Sequence, residues 1–154
     1  MEEYLIETPS IDYMDFHIQD KVRELLNQSE DDLDYIKRSY IFVRDEIPHS
    51  WDIETNIVSR TASDVLKNKT GICWTKSCLL AALLRANQIP SGISYQLLTR
   101  ADDASEGYMI HALNTVHIKY LNKCPIMANT VASTPSRASL TKRPTGSRSR
   151  RSER

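Results

Sequence analysis

The chain has 154 residues, 40% hydrophobic and 26% charged, with zero formal net charge. That fits one globular domain and excludes a collagen-like or low-complexity chain. No apolar run nears the roughly 18 residues of a membrane helix, the acidic start Met1-Glu2-Glu3 is unlike a secretory signal, and three cysteines argue for free thiols in a reducing, cytoplasmic setting rather than a disulfide framework.

Tyr4 to Thr8 reads as a short strand stopped by Pro9. Asp15 can cap a helix from Phe16 to Asn27, in which Ile18, Val22, Leu25 and Leu26 recur at helical spacing. Ser29 with Asp32 resembles a capping arrangement, and the acidic turn Glu30, Asp31, Asp32, Asp34 suits the N-terminal end of the helix dipole. That helix is expected to run to about Glu46, before Pro48, with Leu33, Ile36, Tyr40 and Val43 as its buried stripe. Pro48 to Asp52 is a loop carrying His49 and Trp51, and Thr61 to Leu66 suggests one short capped helix.

Asn68-Lys69-Thr70-Gly71 is a turn into the most apolar stretch of the chain, Cys78 to Leu84, within a helix from Cys73 to about Asn87. Ile93 to Thr99 and Tyr108 to Tyr120 alternate as strands, expected to pair antiparallel across the polar connection Asp102 to Gly107. Ile110, Ala112, Val116 and Ile118 share one face of the second strand; His111, Leu113, Thr115 and His117 share the other. Beyond Tyr120 there is no aromatic residue, and Ser, Thr, Arg and Pro dominate, so about 125–154 is expected to be disordered. Residues 1–134 hold 13 Lys+Arg against 19 Asp+Glu, whereas 135–154 hold seven against one.

A turn that delivers Cys73 to a helix N-terminus places backbone N–H groups where they favour a thiolate. Such a nucleophile needs a base, and His111 on the following strand is the best candidate, with His49 and His117 ranked below it. A cysteine before an apolar run is, on its own, more often a small buried hydrophobe, and Cys78, inside the helix, is read that way. Cys73, Cys78 and Cys124 lack zinc-ligand spacing, and the acidic loop Asp102, Asp103, Glu106 lacks a calcium-loop pattern, so no metal is expected. The basic tail could touch phosphates, but without aromatics for stacking nucleic-acid binding is a minor alternative.

Thr61-Ala62-Ser63-Asp64-Val65-Leu66, Gly71-Ile72-Cys73-Trp74, Leu79 to Pro90 and His111-Ala112-Leu113-Asn114-Thr115-Val116 together resemble, in order and spacing, the core of the transglutaminase-like superfamily. The likeness covers about 30–123 and is nearest the small bacterial members. It implies an α+β, papain-like fold in a domain spanning 1–123, followed by a basic tail, 124–154. It implies Cys73 as nucleophile, His111 as general base and acyl transfer on a protein or peptide amide, with no cofactor. Trp51 is a candidate cleft wall or oxyanion donor by the same likeness, against the plainer reading of an aromatic plugging a core edge. The family's third member, an Asp after a Trp, is missing: Leu121 to Asn129 holds neither. Two readings stay open, a divergent protein in which Asn122 or Asn129 orients the histidine, or a frameshift after Lys123. The abrupt loss of aromatics and the charge reversal favour the frameshift. A non-catalytic binding domain on the same fold is the competing function.

Overall fold

The computed structural model describes residues 1–99 and 107–118. The described chain runs through a 3-10 turn (Glu2–Tyr4), α1 (Phe16–Asn27), α2 (Asp32–Asp45), α3 (Ala62–Asn68), α4 (Cys73–Ala86), β1 (Ser91–Thr99) and β2 (Tyr108–Val116). This is the α+β class, with helices packed on an antiparallel two-stranded sheet.

The three other helices and both strands are placed by α4. Its residues Thr75 to Arg85 are all buried, because α1, α2 and α3 lie against it together with both strands. A helix surrounded on all sides needs apolar residues all round, which explains the run Cys78 to Leu84 with no polar face. The sheet pairs Ser91 with Val116 through to Thr99 with Tyr108, as the alternation predicted. The Asn114 amide donates to the Ser77 carbonyl (2.9 Å), so that set of β2 side chains faces α4 and His111 belongs to the alternate set. The strand itself stops at Val116, short of the expected Tyr120.

The caps follow the sequence closely. The Asp15 carboxylate accepts the His17 N–H (2.9 Å) at the start of α1, and Thr61 with Asp64 closes a reciprocal capping box on α3. At α2 the cap is Asp31, which accepts from Asp34 (2.8 Å), rather than Ser29. Ser29 instead donates to the Leu25 carbonyl and finishes α1.

Two expectations are corrected. The Tyr4–Thr8 segment is no strand: Thr8 and Ile11 bridge each other across a turn at Pro9, which sends Ile11 into the core and leaves Ile6 exposed. The stripe of α2 is shifted: Val43 is buried and Ile36 and Tyr40 pack against the core as expected, but Tyr35, Ser39 and Phe42 are buried with them and Leu33 lies in solvent. Tyr35 turns inward because its hydroxyl reaches the Leu83 carbonyl of α4 (2.7 Å), giving an aromatic ring a satisfied polar tip. Burial pushes the Tyr35 phenol up to about 12. Tyr35→Phe is expected to cost about 1–2 kcal/mol, the worth of a buried hydrogen bond whose acceptor is left unpaired. Urea unfolding with an unchanged slope checks this.

Candidate active site

Gly71 sets the entry to α4. A Cβ there would lie 2.6 Å from Thr75 Oγ1 and 3.2 Å from Val65 Cγ2. The Thr75 hydroxyl cannot step aside, because it bonds both the N–H (3.1 Å) and the carbonyl (3.2 Å) of Ile72. Only glycine lets the chain pass so close to the first turn. Ile72 occupies the cap position without an oxygen of its own, so no cap side chain stands in front of Cys73. Cys73 is the first helical residue and half-buried, with its thiol free.

The Cys73 N–H points at an imidazole from elsewhere in the chain: it donates to His49 Nε2 at 3.2 Å. The loop that carries His49 is fastened on both sides of the ring. Lys76, one turn into α4, donates from Nζ to the Ile47 carbonyl, and Thr70 Oγ1 donates to the Pro48 carbonyl (3.2 Å). The Ser50 N–H donates to the Gly71 carbonyl (3.1 Å), and the Ser50 and Thr70 hydroxyls meet at 3.2 Å. His49 and Gly71 thereby form an isolated parallel bridge.

His49 Nδ1 also faces the Trp51 N–H at 3.3 Å. A neutral imidazole has one lone-pair nitrogen, so it can accept from Cys73 or from Trp51 but not from both at once. Burial holds the His49 pKa below its ordinary value by penalising the imidazolium; Asp52 opposes this, while Lys76 and His111 add to it.

Lys76 is 2% exposed, inside the apolar helix three residues after Cys73. Burial brings its pKa down to about 8, against the pull of Asp52 and Asp45. Cys78 is fully buried, and its thiol is pushed up to about 12 by burial, which agrees with a packed role.

His111 sits on β2 opposite Gln96, 7% exposed, and burial lowers its pKa as well. Its charge acts on His49, so the two imidazoles are electrostatic neighbours. The Trp74 indole N–H donates to the Tyr95 hydroxyl (3.1 Å), tying the first turn of α4 to β1. Trp51 does not plug a core edge: it is 71% exposed, with its ring edge-on to His49 at 6.3 Å between centroids. His117 lines a separate hollow with Met1, Tyr4, Gly92 and Thr115. Asn122, Asn129 and Cys124 lie outside the described residues, as do the acidic connection after Arg100 and the whole basic tail.

His49 was legible only as a loop residue near a cleft, and its contact with Cys73 had no signal in the sequence. Lys76 did carry one, being the only charged residue in the chain's most apolar helix before Arg85.

A family model described as the transglutaminase-like superfamily matches residues 19–123. Among curated proteins none matches the chain. Among solved structures, the chain is similar to a crystal structure described as a candidate cysteine protease from Cytophaga hutchinsonii, with a TM-score of 0.59 and 18% sequence identity. The likeness covers 77% of this chain and 38% of that one, so this chain spans well under half of that protein's length. At such identity the likeness speaks for the fold.

Proposed function

The chain belongs to the transglutaminase-like superfamily, and from that premise we propose that it is a cysteine acyl-transfer enzyme acting on protein or peptide amides. In this reading the Cys73 sulfur attacks the amide carbonyl after His111 takes the thiol proton. The tetrahedral oxyanion collapses, the C–N bond breaks, and His111 returns the proton to the departing amine. A thioester on Cys73 remains. Water then releases a carboxylic acid and restores the thiol, or a second amine gives transamidation; each route uses His111 to deprotonate the attacker. Every reactant is supplied by the protein, the amide and water or an amine.

The observation that carries this reading is Cys73 at the first turn of a buried helix, its N–H on the half-buried His49 ring, with burial favouring the neutral form of both His49 and its electrostatic neighbour His111. Neutral imidazole is the form that can accept a thiol proton. The Asp that the family places after its histidine strand has no counterpart from Leu121 to Asn129. Losing the group that fixes a catalytic histidine's tautomer can lower the rate by about 10⁴, which is why binding without catalysis is the competing reading.

Alkylation of Cys73 by iodoacetamide at near-neutral to mildly acidic pH separates the two. The enzyme reading expects a rate about tenfold above that of free cysteine, falling to the free-cysteine rate in His111→Ala. A wild-type rate equal to free cysteine would overturn it.

A further inference from the structure

If Cys73 forms a thioester, its own backbone N–H is the natural donor to the oxyanion, because a helix N-terminus aims unpaired N–H groups at that position. In this structure that N–H is engaged by His49 Nε2. We propose that His49 is a positioning residue that occupies the oxyanion donor of Cys73 in the resting protein and yields it to the substrate carbonyl oxygen. The inference rests on the acyl-transfer reading above.

The geometry makes the exchange possible without moving the backbone. The loop is fastened by Lys76, Thr70 and Gly71 at Ile47, Pro48 and Ser50, so only the side chain of His49 is free to turn. The ring is half-buried, and its outer neighbour Trp51 is exposed, so the ring has room to rotate outward. Two N–H donors face its two nitrogens, that of Cys73 at Nε2 and that of Trp51 at Nδ1. With the proton on Nδ1 the ring holds Cys73. With the proton on Nε2 it holds Trp51 and releases Cys73. An imidazolium, which has no lone pair, releases both. The charged and titratable groups facing the ring are Asp52 from its own loop, Lys76 from α4 and His111 from β2.

The device has a readout of its own, because alkylation of a thiolate develops no oxyanion whereas acylation by an ester does. The ratio of the Cys73 acylation burst with p-nitrophenyl acetate to its alkylation by iodoacetamide cancels the thiolate fraction and reports the oxyanion donor. His49→Phe keeps a ring but offers no acceptor, and the ratio is expected to rise about tenfold, a modest part of what such a donor is worth. His49→Gln offers an acceptor that does not titrate, so the ratio is expected to stay flat with pH, at the value wild type shows above the titration of His49. In the wild-type protein the ratio is expected to rise as pH falls through the titration of His49, a test that needs no substitution. A ratio unchanged in His49→Phe and flat with pH in wild type would overturn the inference. So would a His49→Phe protein in which alkylation collapses, since His49 would then be the base. If alkylation is fast and His111-dependent while the ratio ignores His49, this inference alone fails; if wild-type Cys73 reacts like free cysteine, the acyl-transfer reading and this inference fail together.

Discussion

Arg85→Met is expected to cost roughly 3–5 kcal/mol and to free the N-terminal segment from the body of the protein. Arg85 ends α4, 5% exposed, and its guanidinium serves carbonyls rather than a carboxylate. Nε and Nη2 donate to the Ser91 oxygen (2.9 and 2.7 Å), and Nη1 donates to the Ile6 oxygen (2.7 Å). One side chain thus ties the central helix to the first residue of β1 and to a segment 79 residues away. Hydrogen bonds from a charged donor are worth about 1.5–3 kcal/mol each, and both carbonyls would be stranded. Relief from burying the charge offsets part of that loss. Lysine should not rescue, because one ammonium cannot reproduce a planar fork that spans two carbonyls. Urea unfolding gives the size of the loss. Limited proteolysis before Ile11 gives its location, since only the Ile6 contact predicts early cleavage there. A loss below about 1 kcal/mol with unchanged proteolysis would sink the argument.

The second large effect is on stability against pH, where two buried groups on one helix act in opposite directions. Lys76 has a folded pKa of about 8 against an ordinary value of 10.5. Between those values the unfolded chain carries the extra proton, so stability rises with pH there, by about 3 kcal/mol in all. Cys78 has a folded pKa of about 12 against 9.0. Between those values the folded chain keeps the proton, so stability falls with pH, by about 4 kcal/mol in all. Tyr35, pushed from 10.0 to about 12, adds to the fall. The expected profile therefore rises from about pH 8 to about pH 9, where Lys76 acts alone. It then levels while the two oppose each other, drops above about pH 10 where Tyr35 joins Cys78, and drops more steeply above about pH 10.5. Lys76→Met should remove the initial rise. Cys78→Ala should extend the rise to about pH 10, where Tyr35 begins to offset Lys76. Urea midpoints across this range test both, and wild-type stability that falls from pH 8 to 9 would contradict the assignment to Lys76.

The elements that could be read early were those whose signals are local. Asp15 before an apolar-periodic run fixed α1, Thr61 with Asp64 fixed the cap of α3, and alternation from Ile93 and from Tyr108 gave a hairpin with His111 and Asn114 on opposite faces. The stripe of α2 was read one flank too far, with Leu33 in place of Tyr35, Ser39 and Phe42, because neighbouring faces satisfy the same helical period. The winning face holds Ser39 and Tyr35, which a hydrophobic count undervalues. Tyr4 to Thr8 had strand-like residues and found no partner strand among the described residues. Of the site, Cys73 and the buried nature of Cys78 were legible from the turn and the apolar run. For Trp51 only the core-edge reading is excluded, since the ring is exposed beside His49.

By itself the sequence determined where helices begin, which strands alternate, and that Gly71 hands Cys73 to the start of a buried helix, since these depend on neighbours within about four residues along the chain. Tertiary structure alone decided that His49, 24 residues before Cys73, would take its backbone N–H. It also decided that Lys76 would reach back 29 residues to the Ile47 carbonyl and that Arg85 would reach Ile6. Those contacts form because burying α4 on every side strands polar groups that must find partners wherever the packed chain happens to bring them.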